Sequence, residues 1–545
     1  MAGSPVPEVR RSFVIAVAVA TVLAVWLRSY GITSQVVIDD EWHAIHKLAS
    51  SSYGGIFTSF GWADHSIPLT LLYKAMADTV GLAEGRLRAL QIVCGFAFVP
   101  FAAWLAWRAT RDAPCAALFA FLVAGAPFLV MWSRFARPYA ITLLLTVVCI
   151  AALWRWRTRR TAKLAACIAL TAALSAWLHP ISGVYAALGC LFVFIEDACA
   201  PDIIRPRPTW RSLQLGAAVA GAMVLLLAEP LYHDRSNLTG KAGGDQPDFG
   251  SFERALAIIW GGLPTPAVVL ATMIAAWGAV AMFRRDPRLT AYLAVLGLVP
   301  GAMLTLTGAM WLREGQNFLR YQLPLLPLVL FFGSVGVMSL VRLAARDKGE
   351  VAAWIAAAIL STAYLVATPA IAQVAMLGIW YGHLDYHWDY RNRWNEGKRR
   401  DPGYDPPDFY RKLARMAPGS APIIEAPFSH EAPSNPFAFW ATFHRQPETL
   451  GMIHDLCLEG ERVGEPARDR RFRFRDFVFL DDVPAVRKTG ARYLIVAREF
   501  LHGRPFRESQ RCIEELVTLY GAPMEVDARA AVFDLRPTEP PPKPQ

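Results

Sequence analysis

Three consecutive carboxylates, Asp39, Asp40 and Glu41, stand just after the first long apolar run of the chain, with His43 and His46 behind them. Carboxylates where an apolar helix meets a membrane surface are costly and commonly functional. One Asp there would serve as a helix cap, accepting from free backbone N–H groups. Three acids with two histidines exceed what a cap needs. An ionised carboxylate in that place can take a proton from an attacking hydroxyl as general base. Further along the same loop comes Gly61-Trp-Ala-Asp64-His65-Ser-Ile-Pro68-Leu69, then an amphipathic stretch to Met76. Asp64-His65 reads either as a substrate contact or as a second cap, with Pro68 near the first helical turn.

Basic and aromatic groups form the complementary set. Arg134, Arg137 and Tyr139 crowd one very short link, and Arg313, Arg320 and Tyr321 precede a late apolar run. A guanidinium fork suits phosphate, while snorkelling and anchoring in the aromatic belt are the bland alternative. Lys241, beside Gly243-Gly244, lies in a polar loop that reads as a mobile cover. A divalent cation, Mg²⁺ or Mn²⁺, is a chemical option for the loop carboxylates. Nothing in their spacing requires one. The chain has no CxxC, HExxH, Walker A or GxSxG sequence, which leaves zincin, P-loop and serine-hydrolase chemistry without support.

The elements that must position these groups are membrane helices. The 545 residues are 54% hydrophobic and only 18% charged, with a mean hydropathy of +0.30, against about 25% charged in soluble domains. About 20 apolar residues cross a bilayer, and such runs centre on 12–30, 87–107, 113–132, 138–154, 163–178, 181–196, 212–229, 257–283, 289–311, 321–342 and 351–373. The fold class expected is therefore a polytopic α-helical membrane protein of about eleven spans. Phe13 to Leu27, preceded by Arg10 and Arg11, reads as a retained signal anchor. Lys and Arg crowd the short links at 108–111, 155–163, 205–211, 284–288 and 342–348, and are sparser across the longer links of the other side. By the positive-inside rule the N-terminus is cytoplasmic and the carboxylates and arginines above share the outer side. The net charge of +10 reports that orientation and gives no reason to expect nucleic acid.

After the spans, 374–406 is a polar, Pro-rich linker. Residues 407–538 then alternate strand-like runs (Pro422–Pro427, Phe477–Leu480, Tyr493–Ala497, Ala531–Leu535) with helix-like ones (Pro407–Met416, Glu508–Leu519). That pattern is expected of a soluble extracytoplasmic α/β domain. A Pro-rich tail, 539–545, closes the chain. Six cysteines lie in or beside the spans as apolar fillers, whereas Cys457 and Cys512 are candidates for a disulfide outside the cytoplasm.

Asp40-Glu41, Asp64-His65-Ser-Ile-Pro68-Leu69, Ala136-Arg137-Pro138-Tyr139-Ala140 and Arg320-Tyr321-x-x-Pro324-x-x-Pro327 together resemble motifs of the GT-C superfamily of membrane glycosyltransferases. The resemblance is to the protein-mannosyltransferase and aminoarabinose-transferase branch, glycosyltransferase family 39-like, and it extends over the whole architecture. It implies inverting transfer of a sugar from a polyprenyl-phosphate donor to a glycan, lipid or protein acceptor on the outer face of the bacterial inner membrane. Asp40 matches the first-loop aspartate, with Asp39 the alternative and Glu41 beside them; the arginines would hold the phosphate. One departure is that the second outer loop, Ser133 to Tyr139, has no acidic residue. A polytopic transporter or flippase is the competing reading, although transporters gather ionisable groups at the midplane rather than in loops.

Overall fold

The computed structural model describes residues 7–32, 41, 45, 48, 51–61, 65–199, 208–240, 242–244, 246–308, 312–345, 349–371, 406–428, 440, 443–453, 456, 477–498 and 509–536. The chain divides into two compact units. One comprises Met1–Ser34, Ser51–Lys74 and Gly85–His383; the other comprises Gln35–Ser50, Ala75–Glu84 and Leu384–Gln545.

The first unit is helical. Its helices are α1 (Pro7–Ser29), α2 (Tyr53–Thr58), α3 (Ile67–Thr79, whose last turns belong to the other unit), α4 (Glu84–Thr110), α5 (Ala113–Gly125), α6 (Pro127–Ser133), α7 (Tyr139–Trp156) and α8 (Ala162–Leu178). They continue with α9 (Gly183–Ala198), α10 (Pro208–Thr239), α11 (Phe249–Ile259), α12 (Thr265–Arg285), α13 (Pro287–Thr307), α14 (Gly315–Tyr321), α15 (Leu325–Ala345) and α16 (Gly349–Ala367). Among the described residues nine helices are long and apolar enough to cross a membrane, and α5 with α6, bent by 56°, makes a tenth. The shorter apolar helix α8, Ala162–Leu178, occupies the remaining expected span. Two boundaries differ from the sequence reading. The run 257–283 is not one span, because Gly261 and Gly262 take positive φ (75° and 76°) and separate α11 from α12. The polar loop expected over 230–256 is partly helix, since α10 continues through Pro230 to Thr239 with a kink at Asp234.

The bend between α5 and α6 has a chemical cause. Ala126 precedes Pro127 and is extended (φ −61°, ψ 114°), as the proline ring demands. That frees carbonyls at the end of α5, and the fully buried Arg28 supplies donors: Nη1 to Ala124 O at 2.9 Å and Nη2 to Val123 O at 3.3 Å. Arg134, at the end of α6, returns the favour to α1, its Nη1 donating to Leu27 O at 3.0 Å and Tyr30 O at 2.8 Å. Arg28 thus caps the C-terminus of α5 and Arg134 that of α1, which satisfies buried backbone acceptors that lipid cannot.

Where no water drives association, small residues let helix backbones touch. A Cβ on Gly278 of α12 would lie 1.9 Å from Phe332 O, and one on Gly336 of α15 would lie 2.0 Å from Ile274 O. Gly336→Leu therefore forces α12 and α15 apart; overpacking of this kind costs about 3 kcal/mol, and thermal unfolding of the detergent-purified chain should show it as a clear fall in Tm. An unchanged Tm would mean that this contact is not tight in solution.

The second unit carries α17 (Asp408–Ala414), α18 (Val483–Lys488), α19 (Ser509–Tyr520) and strands β1 (Ile423–Phe428), β2 (Glu448–Met452), β3 (Phe477–Phe479), β4 (Tyr493–Ala497), β5 (Glu525–Val526) and β6 (Ala530–Asp534). They form one sheet in the order β3-β2-β1-β4-β6-β5. The first four strands are parallel and the last two pair antiparallel. One face packs Ile424, Leu494, Val496 and Phe533 against Cys512, Ile513 and Leu516 of α19. Cys512 is disulfide-bonded; Cys457, its expected partner, lies outside the described residues.

Candidate functional site

A cluster of aromatic and basic side chains gathers at one end of the helical unit, built from three elements. Tyr139 opens α7, His179 caps α8 at its C-terminus, and Arg320 and Tyr321 end the short helix α14. The Tyr139 and His179 rings are 5.5 Å apart, and His179 stacks on Tyr321 at 5.7 Å. The Arg320 guanidinium lies over both tyrosines, 5.8 Å from the Tyr139 ring and 5.2 Å from that of Tyr321. Aromatic faces hold the cation in place. Its fork of donors remains suited to an anion.

A small cavity of about 20 Å³ opens among Tyr139, Thr142, His179, Tyr185 and Arg320, enough for one water. The Thr142 Oγ1 and Tyr185 hydroxyl, both buried, have no hydrogen-bond partner among the described residues. Behind the cluster, Trp132 packs on Tyr139 at 4.3 Å and on Phe128 and Phe135 edge-on. The polar side therefore rests on a rigid aromatic wall.

Two supports fix the surrounding chain. Helix α11 braces α14: Ser251 Oγ and Arg254 Nη2 donate to Arg313 O at 2.8 and 2.7 Å, and Phe252 meets Phe318 edge-on at 5.1 Å. Its N-terminus is closed by a capping box between Asp248 and Ser251, and the Ser251 hydrogen bonds hold the Asp248 carboxyl below the usual carboxylate range. The second support is Asp234 at the kink of α10, which accepts from Ser59 Oγ at 2.6 Å and Gly61 N at 2.8 Å. Asp234 thereby ties the Ser59–Gly61 segment to α10.

Of the residues singled out from sequence, Tyr139, Arg320 and Tyr321 come together. Asp39, Asp40, Asp64 and Lys241 lie outside the described residues. Glu41 is fully buried and belongs to the second unit. His65 takes a positive φ of 63° and stacks on Phe60 at 6.1 Å. Arg313 is exposed on the turn before α14. Arg137 is half-buried in the link before α7. Arg134, 1% exposed, spends its Nη1 donors on α1 carbonyls, a structural duty beneath the cluster. His179 and Asp234 gain their partners only through folding, and neither set of partners can be read from local spacing.

In the second unit, Glu425 of β1, His444 and Glu448 of β2 place ligand-type atoms within 4.8 Å of one another, the one such group among the described residues. His444 Nδ1 accepts the Gln446 N–H at 3.0 Å. The neutral ring then carries its proton on Nε2, the atom facing Glu425, whereas a metal-binding histidine donates from its other nitrogen. The cluster suits a proton better than a cation. Burial and then the Glu448 charge push the Glu425 carboxyl well above its usual range, and burial lowers His444 to about 4. With its folded pKa raised, Glu425 contributes stability at acidic pH that is lost as pH rises through that pKa; His444 has the opposite sign, losing stability as pH falls from about 6.5 towards 4. Glu425→Gln should therefore stabilise the sheet at pH 8–9 by about 1–3 kcal/mol, with the gain shrinking towards pH 5, as followed by limited proteolysis of the full chain during heating. Equal stability of the two proteins at alkaline pH would contradict this.

No protein-family model matches the chain, and no curated protein matches it. Among solved structures it is similar to ArnT from Cupriavidus metallidurans, both bound to undecaprenyl phosphate and in the apo state, at TM-scores of 0.47 and 0.48. In each case identity is 13%, over 96% of this chain and 97% of that one. It is also similar to the arabinosyltransferase EmbB from Mycobacterium smegmatis, with a TM-score of 0.39 and 13% identity over 69% of this chain and 41% of that one.

Proposed function

We propose that the protein is an inverting glycosyltransferase that uses a polyprenyl-phosphate-linked sugar at the outer face of the inner membrane. The observation that carries the reading is Arg320, held between Tyr139 and Tyr321 beside His179 and a small polar cavity at one end of an apolar helical unit. A fixed cation there matches a lipid phosphate whose isoprenoid chain lies among apolar helices. In the proposed step a first-loop carboxylate, Asp40 or its neighbour Asp39, takes the proton of an acceptor hydroxyl. The acceptor oxygen bonds to the anomeric carbon, the bond from that carbon to the phosphate oxygen breaks, and polyprenyl phosphate leaves with its charge met by Arg320. Arg134, Arg137, Lys241 and Arg313 are the further basic groups assigned to this side, with Asp64 and His65 towards the sugar or acceptor and Glu41 beside the base. The basic links support a cytoplasmic N-terminus and an extracytoplasmic C-terminal region.

The test is a panel of labelled polyprenyl-phosphate sugars offered to the reconstituted chain with envelope extracts as acceptor. The expected result is release of polyprenyl phosphate and transfer of label from at least one donor. Movement of lipid across the bilayer with no donor cleaved would overturn the reading in favour of a transporter.

A further inference from the structure

A cavity of about 380 Å³ in the helical unit is lined mostly by residues that the chemistry above does not use. Its walls are apolar, among them Phe98, Ile150, Leu293, Leu296 and Phe331, and at one end stand Arg108, Arg155 and Arg157. These arginines sit at or just beyond the C-terminal ends of α4 and α7, far along α7 from Tyr139. Along α4 the lining runs from Phe98 to Ala109, a depth of about 16 Å at about 1.5 Å per residue. That is half of a hydrocarbon core of about 30 Å, the reach of one leaflet's acyl chain. Trp104, 45% exposed, is among the lining residues on the apolar helix α4.

Among the described residues the charge at the arginine end is unbalanced. Arg157 is neutralised by Glu196, to which it is ion-paired, and stacks on Trp154 at 3.8 Å. Arg108 is exposed over Trp104 and Arg155 is exposed. The Thr158 hydroxyl, which donates to Arg155 O, lines the same end. A long apolar slot ending in two exposed guanidinium groups complements a phospholipid of net negative headgroup better than a zwitterionic one, whose ammonium offsets the charge of the same phosphodiester.

We infer that this slot is a binding site for an anionic phospholipid of the leaflet on the arginine-rich side, its phosphodiester on Arg108 and Arg155 and one acyl chain along Phe98, Ile150 and Leu293. Tyr185 and Pro324 line both this slot and the small cavity at Arg320, so the slot's far end backs onto that cluster; the headgroup contacts lie at the opposite, arginine end and do not depend on the transferase reading. Occupancy stabilises the bundle by filling a void that otherwise forfeits packing contacts.

The experiment is native mass spectrometry, paired with thermal unfolding, of the full chain in detergent. Phosphatidylglycerol and phosphatidylcholine of identical acyl chains are titrated in. Phosphatidylglycerol should bind at least about tenfold more tightly and raise Tm in a concentration-dependent way. Each arginine near a membrane surface is worth about fivefold in affinity, so Arg108→Ala/Arg155→Ala should remove most of the preference while leaving weak, headgroup-independent binding. Leu293→Trp, which fills the slot and keeps the arginines, should abolish both lipids' effect without lowering the lipid-free Tm. Equal binding of the two lipids to the wild type, or phosphatidylglycerol retention unchanged in both variants, would overturn the proposal. So would displacement of phosphatidylglycerol by stoichiometric polyprenyl phosphate, which would make the slot part of the donor site.

Discussion

Replacing Asp40 by Asn should lower the rate of sugar transfer by about 10²–10⁴-fold, the usual worth of a positioned general base, with little change in the KM for the lipid donor. The split follows from the division of labour. A base acts on the acceptor hydroxyl in the transition state, whereas the donor's affinity comes from the phosphate and the lipid chain, so removing the base lowers kcat and spares KM. Asp39 is the alternative if the register is shifted by one residue; the large loss then moves to Asp39→Asn and Asp40→Asn becomes mild. Turnover that survives in both Asp39→Ala and Asp40→Ala would remove the first-loop carboxylates from the mechanism. The readout is release of polyprenyl phosphate from a labelled donor at saturating acceptor.

The second large effect is expected at Arg320. Arg320→Ala should cost about 10²–10³-fold in kcat, the range for losing one donor to developing charge, and should raise the donor KM as well, because phosphate is bound before and during its departure. Arg320→Lys should recover only part of this, since an ammonium keeps the charge but not the fork or the stacking on Tyr139 and Tyr321. A mere interfacial anchor would tolerate lysine, which snorkels equally well. Full activity of Arg320→Lys would therefore return the residue to that structural part.

Much of the helical unit could be read from sequence because hydrocarbon leaves few alternatives: apolar runs of span length at 87–107 and 138–154 match α4 and α7 to within three residues at either end. What could not be read were the places where tertiary partners override the local pattern. Apolarity continues through Gly261-Gly262, so the run 257–283 gives no sign of the break that their positive φ makes. Arg28 and Arg134 cap helices across about a hundred residues of sequence, and spacing alone gave Arg134 the same standing as Arg320. His179 and Asp234 likewise gain their significance only from neighbours brought by folding, the two tyrosines for one and Ser59 with Gly61 for the other. In the second unit the strands over Tyr493–Ala497 and Ala530–Asp534 were legible from their apolar runs. The short β2, Glu448–Met452, was not, because it begins on a glutamate beside a buried acid and contains a glycine.

The central claim, that a lipid phosphate sits at Arg320, can be tested most directly by photocrosslinking. A polyprenyl phosphate with a photoreactive group on its first isoprene unit, added to the reconstituted full chain, should mark residues of Gly315–Tyr321 and the first turns of Tyr139–Trp156. Arg320→Ala should strongly reduce that labelling. Labelling confined to the arginine-rich end around Arg108 and Arg155, or undiminished in Arg320→Ala, would contradict the account.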